Sequence, residues 1–185
     1  MRNDQNGYYS SLIQRKFKDT VGTRYQDVLR EYQEFLLTEE LMQVPEVKKI
    51  LIPLDVFVKD VPKSLYNVLS AYEGKITLVY ITDSQVYSVI RETLSDELAN
   101  EFLKKKEQYG HDLLDTLTKE LQQIGFTVHQ RLFTGHKGED VEKKAADFDL
   151  IAISKSYGYE QTENYPVSPL ALRICQHVKK LTILY

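Results

Sequence analysis

Residues 149–174 read DLIAISKSYGYEQTENYPVSPLALRI. An apolar run, Leu150 to Ile153, opens into a long polar loop, and Ser168 onward returns to a helical pattern. Phosphate-binding sites often use this strand, loop and helix layout, because loop amides and a helix N-terminus together present partial positive charge. The loop keeps a single glycine, Gly158, where a phosphate cradle normally needs several. It has the position of a cradle without its usual residues.

Working outward, the same alternation of apolar runs and helical spacing fills the chain from Val47 to Tyr185. VKKILIPLD at 47–55 suits a first central strand, buried on both faces. Leu65, Val68, Leu69 and Tyr72 recur at helical spacing over 62–72, with Gly74 as a stop. KITLVYIT at 75–82 is a second strand. A longer helical segment carries Leu94, Leu98, Phe102, Leu113, Leu117, Leu121 and Ile124 to Gly125, with Ser95 as a start or restart. Strands over 126–133 and 149–153 flank a short helix over 138–146. A helix over 168–177 leads into KLTILY at the end of the chain. Five strands separated by helices call for a parallel sheet covered on both faces, since parallel neighbours need crossover connections. The expected fold class is therefore open α/β and Rossmann-like. In such sheets ligands lie beyond the carboxyl ends of the strands, which gathers Asp55, Ile81 and the loop after Ile153 around one crevice.

Residues 1–45 differ in character. Val21, Tyr25, Val28, Tyr32, Phe35 and Met42 recur at spacings of three, four or seven, and Leu29 and Leu36 widen the stripe. This predicts an N-terminal amphipathic helical arm ahead of a domain over 46–185. Deleting residues 1–44 is then expected to expose apolar surface and alter association or solubility.

Composition narrows the function classes. The chain has 185 residues and a formal net charge of -3, with Lys and Arg interleaved among Asp and Glu, so no basic stripe along the sequence marks a nucleic-acid partner. A single cysteine, Cys175, excludes an internal disulfide framework and suits a reducing cytoplasm. No run approaches the roughly 18 apolar residues of a membrane span, and the polar start MRNDQNGYYSS has no signal-peptide core. A cytoplasmic protein without a membrane partner is expected.

With these anchors in place, the chain over about 47–185 resembles the universal stress protein family. The resemblance rests on ILIPLD at the first strand, Gly135 after the third, DLIAIS at the fourth, and VSPLALRI with ILY at the end. It implies a five-stranded sheet in the order 3-2-1-4-5, of the adenine nucleotide alpha hydrolase-like type, and a homodimer formed through the last strand, 181–185. It also implies where a nucleotide would sit. Nucleotide-binding members carry Gly-x2-Gly-x9-Gly-Ser/Thr after the fourth strand and an aspartate at the end of the first. Asp55 matches that aspartate, but the glycine positions fall on Ser154, Tyr157 and Val167, and only Ser168 keeps its type. If those positions required left-handed backbone, side chains there would cost about 1 to 2 kcal/mol each, a large share of the roughly 8 kcal/mol of a micromolar ligand. Val56 and Phe57 replace the Gly-Ser that often follows the aspartate, and Phe57 is placed to fill the space of a base or ribose.

The leading expectation is a dimeric regulatory or interaction module in stress response, with a degenerate ATP-binding motif, no cofactor and a possible protein partner. The alternative is a switch protein that binds ATP or another adenine nucleotide through a rebuilt loop, using Asp55, Ile81, Lys155, Ser156, Gly158 and Ser168. Catalysis is not expected, because no nucleophile elbow, P-loop or Ser/His/Asp grouping can be placed. His111, His129, His136 and His177 lie on different elements without a second ligand at metal spacing, so no metal site is expected. Asp83 and Ser84 suit either a loop cap or the crevice, and GHKG at 135–138 suits either a plain turn or an anion contact. Lys104 to Lys106 reads as a solvated helix face. Tyr157, Tyr159 and Tyr165 suit either a contact surface or a plug for the vacant crevice.

Overall fold

A computed structural model describes residues 46–185. The arm expected over 1–45 lies outside the described residues. Five strands, β1 (Lys49–Leu54), β2 (Lys75–Asp83), β3 (Val128–Gly135), β4 (Leu150–Ile153) and β5 (Leu181–Leu184), form one sheet in the order β3-β2-β1-β4-β5. Every neighbouring pair is parallel. The sheet order is the one the family resemblance implies.

β1 sits at the centre, and Ile50 to Leu54 are all buried, which explains its unbroken apolar run. Five helices connect the strands: α1 (Lys63–Leu69), α2 (Ser84–Thr93), α3 (Asp96–Ile124), α4 (Lys137–Ala145) and α5 (Pro169–His177). The long helical segment expected after β2 is two helices. Asp83 starts α2, its carboxylate accepting from the Gln85 and Val86 amides, and Ser95 starts α3, accepting from the Leu98 amide. α3 ends at Gly125, whose φ of 104° is a left-handed C-cap.

One face of β2 and β3 is covered by α3. Leu114, Leu117 and Leu121 join Ile76, Leu78 and Tyr80 in the core, and the Gln130 side-chain amide reaches the Leu114 carbonyl. Gly110 lets this helix approach closely, for a Cβ there would lie 2.5 Å from the Tyr80 ring and 2.7 Å from a Leu132 methyl. The glycine inside a helix is explained by packing.

Candidate functional site

The carboxyl ends of β1 and β2, the start of α4 and the loop after β4 converge on Asp55, as the sheet order requires. Asp55 is fully buried. Its Oδ1 accepts from the Phe57 amide at 3.0 Å, and its Oδ2 accepts from the Gly158 amide at 2.9 Å and from Lys137 Nζ at 2.8 Å. Lys137 is 8% exposed, so this is a buried ion pair, and its ammonium also lies 4.0 Å from Asp83 Oδ2 and 5.1 Å from the Phe57 ring centre. A buried carboxylate is tolerated only when paired and hydrogen-bonded. The chain supplies all of these partners itself.

Tyr157, one of the three replaced glycine positions, fixes the loop from inside. Its side chain is fully buried, and its hydroxyl donates to the Lys137 carbonyl at 3.1 Å. Burial, with the charges of Asp55, Asp83 and Asp140, pushes the phenol well above its ordinary range, so the donor stays protonated. Tyr159 and Tyr165 are exposed instead. Of the three tyrosines, Tyr157 is buried under the loop and the other two face solvent.

The loop amides are turned inward as well. Lys155 N–H donates to the Tyr185 carbonyl, Ser156 N–H to Ser154 Oγ, Tyr157 N–H to the Ser154 carbonyl, and Tyr159 N–H to the Ser156 carbonyl. At the far end Ser168 N–H donates to the Lys155 carbonyl at 2.7 Å, which closes the base of the loop. The buried Ser168 hydroxyl accepts from the Leu170 and Ala171 amides, and Pro169 has no amide hydrogen to offer. The start of α5 therefore presents no free N–H in its first turn. A phosphate cradle needs those donors aimed at a ligand.

The backbone corrects the strain expected from the replaced glycines. No non-glycine residue among those described has a positive φ, so Ser154, Tyr157 and Val167 sit in ordinary geometry. The loop places its one left-handed residue at Gly158, φ 87°, and turns that residue's amide onto Asp55. A Cβ at Gly158 would collide with the Leu170 side chain. What replaces the glycines is a different loop path.

The predicted site residues thus separate. Asp55 and Gly158 are bonded to each other, and Ile81 and Gly158 line a neighbouring cavity of about 400 Å³ with Phe57, Tyr80, Thr82 and Lys106. Thr82 is 4% exposed, and its hydroxyl has no hydrogen-bond partner. Ser156 is half-buried and serves the loop, Ser168 serves as a helix cap, and the Lys155 side chain is exposed. Sequence reasoning missed Lys137, which lies in the GHKG turn and whose anion is the chain's own Asp55. It also gave no role to Lys106, which lines the cavity with its ammonium 5.4 Å from the Phe102 ring centre. Among the described residues no group of three or more His, Cys, Asp or Glu is arranged to hold a metal ion, and no helix is long and apolar enough to cross a membrane.

Solved structures similar to this chain include members of the universal stress protein family. The chain is similar to the universal stress protein UspA from Lactobacillus plantarum, with a TM-score of 0.63 and 16% identity over 76% of this chain and 99% of that one. It is also similar to hypothetical protein MJ0577, with a TM-score of 0.60 and 19% identity over 76% and 96% of the two chains. A universal stress protein family member from Burkholderia pseudomallei gives a TM-score of 0.55 and 15% identity over 77% and 98%. No protein-family model and no curated protein matches the chain. The described domain has the universal stress protein fold.

Proposed function

We propose that this protein is a universal-stress-protein-like regulatory or interaction module that does not hold ATP in the family's usual mode. The observation that carries this reading is the inward turn of the cradle amides, together with the Lys137–Asp55–Gly158 contact. To admit a triphosphate in that mode, the loop would have to break a buried ion pair, withdraw the Tyr157 ring and release the amides at the start of α5. Each of those steps costs binding energy before any contact with the ligand is made. The module acts by binding rather than by turnover, works in the cytoplasm and has a protein partner.

Homodimerisation through β5 is part of the proposal. β5 is an edge strand of the sheet; Leu181 is 41% exposed, and Ile183 and Leu184 are half-buried. An unpaired apolar edge favours pairing with a second copy. Size-exclusion chromatography with light scattering on the full chain tests this, with a dimer expected and a monomer at micromolar concentration against it.

One observation favours the alternative, a switch that binds an adenine nucleotide through a rebuilt site. The cavity beside Asp55 is large enough for a small ring, and the Thr82 hydroxyl in its lining lacks a partner. Absorbance near 260 nm in the supernatant of denatured, freshly purified protein would support that alternative. Its absence is the result expected here.

A further inference from the structure

A second groove, of about 530 Å³, lies at the other end of the strands from Asp55. Its lining includes Lys49 and Lys75, the first residues of β1 and β2, with Arg131 from β3 and Lys144 from α4. Lys49 lies across from Lys75, Thr77 from His129, and Val79 from Arg131. Because alternate residues of a strand share a face, all of these lie on the face opposite the one that α3 covers. The four cations meet one carboxylate in the lining, that of Asp147, so the groove carries a net charge of four minus one, or +3. The chain as a whole carries -3.

None of the four has an ion-pair partner among the described residues, where the salt bridges use other lysines and Arg173. Lys144 stands over the Phe133 ring at 4.7 Å. The nearby Asp149 carboxylate accepts from the Lys48 and Lys49 amides. Placing Lys49 and Lys75 directly opposite each other is unfavourable for the sheet. Asp147 in the lining and Asp149 beside Lys49 offset part of that repulsion, and an anion from outside would offset more.

Spacing indicates the form of that anion. Measured along the strand direction, the Lys49/Lys75 pair on β1 and β2 and then His129 and Arg131 on β3 advance by successive two-residue steps of about 6.6 Å. Alternate side chains of an extended peptide repeat at that same distance. A long polyanion fits less well, because it would run out of the groove onto a protein of net negative charge. The only aromatic side chains in the lining are the exposed His129 and the half-buried Phe148.

We infer that this groove docks an extended acidic segment of a protein partner lying along the strand direction, with Asp or Glu at every second residue. The site is independent of the Asp55 crevice and stands whether or not a nucleotide binds there. Fluorescence anisotropy with the full chain and a labelled peptide of alternating Glu and Thr tests it. Expected are saturable binding at low salt, weakening as salt is raised, and at least about a ten-fold loss of affinity in the Lys75→Gln, Arg131→Gln double variant. Both side chains are exposed, so the fold is retained. Lys49→Gln alone should weaken binding in the same direction. The inference is overturned by no saturable binding, by equal binding of a Gln–Thr peptide, by unchanged affinity in the double variant, or by tighter binding of a single-stranded oligonucleotide than of the acidic peptide.

Discussion

Replacing Lys137 with methionine removes the ammonium that pairs with Asp55 and keeps most of the side chain's volume. The two groups are 2.8 Å apart, with side chains 8% and 0% exposed. At an effective dielectric of about 20 their attraction is about 6 kcal/mol, offset by desolvation of several kcal/mol per ion. Losing one partner is the harsher change, because the other charge stays buried; such losses cost about 3 to 5 kcal/mol. Asp55 retains the Phe57 and Gly158 amides, which puts the expected loss near the lower end, about 3 kcal/mol, or roughly 10 °C in Tm for a domain of this size. Urea unfolding of the wild type, Lys137→Met, Asp55→Asn and the double variant measures the coupling. The double variant should lose less than the two single variants combined, with a coupling energy of about 2 kcal/mol. A loss below about 1 kcal/mol for Lys137→Met, together with additive single variants, would refute the claim that this pair holds the loop closed.

Two further perturbations test the frame around the site. Gly110→Ala should destabilise the domain by about 1 to 2 kcal/mol, because overpacking against the buried Tyr80 ring outweighs the roughly 1 kcal/mol that alanine gains in a helix; a rise in Tm would contradict the close approach of α3. The Lys48 and Lys49 amides hold the Asp149 carboxyl below its ordinary 3.8. A depressed carboxylate stabilises the fold above the unfolded value and loses that contribution as pH falls through the folded value. Asp149→Asn should therefore lower Tm at neutral pH, with the gap closing below 3.8, and a gap that persists in stronger acid would assign the effect to something other than ionisation.

The sheet was legible because β1 and β4 are buried on both faces and show it as unbroken apolar runs. Asp55 was legible as a polar residue ending such a run. α2 was not visible as a separate helix because Val86, Val89 and Ile90 continue a helical spacing into α3 and Ser95 could be read as either a start or a restart, although none of its residues is buried. Lys137 lies 82 positions from Asp55, so the GHKG turn alone cannot show which anion it meets. The replaced glycines pointed to the right loop for an incomplete reason: the sequence suggested strain, whereas the backbone avoids strain by taking another path through Gly158. The basic groove was hidden by the interleaving of charges along the chain, because Lys49, Lys75, Arg131 and Lys144 come from four elements and meet only in the folded sheet.

Whether the crevice accepts a triphosphate is decided most directly by titration calorimetry of the full chain with ATP and magnesium. The closed loop predicts no saturable heat up to about 1 mM, a concentration at which binding is worth only about 4 kcal/mol. Saturable binding in the low micromolar range, abolished by Asp55→Ala, would contradict it.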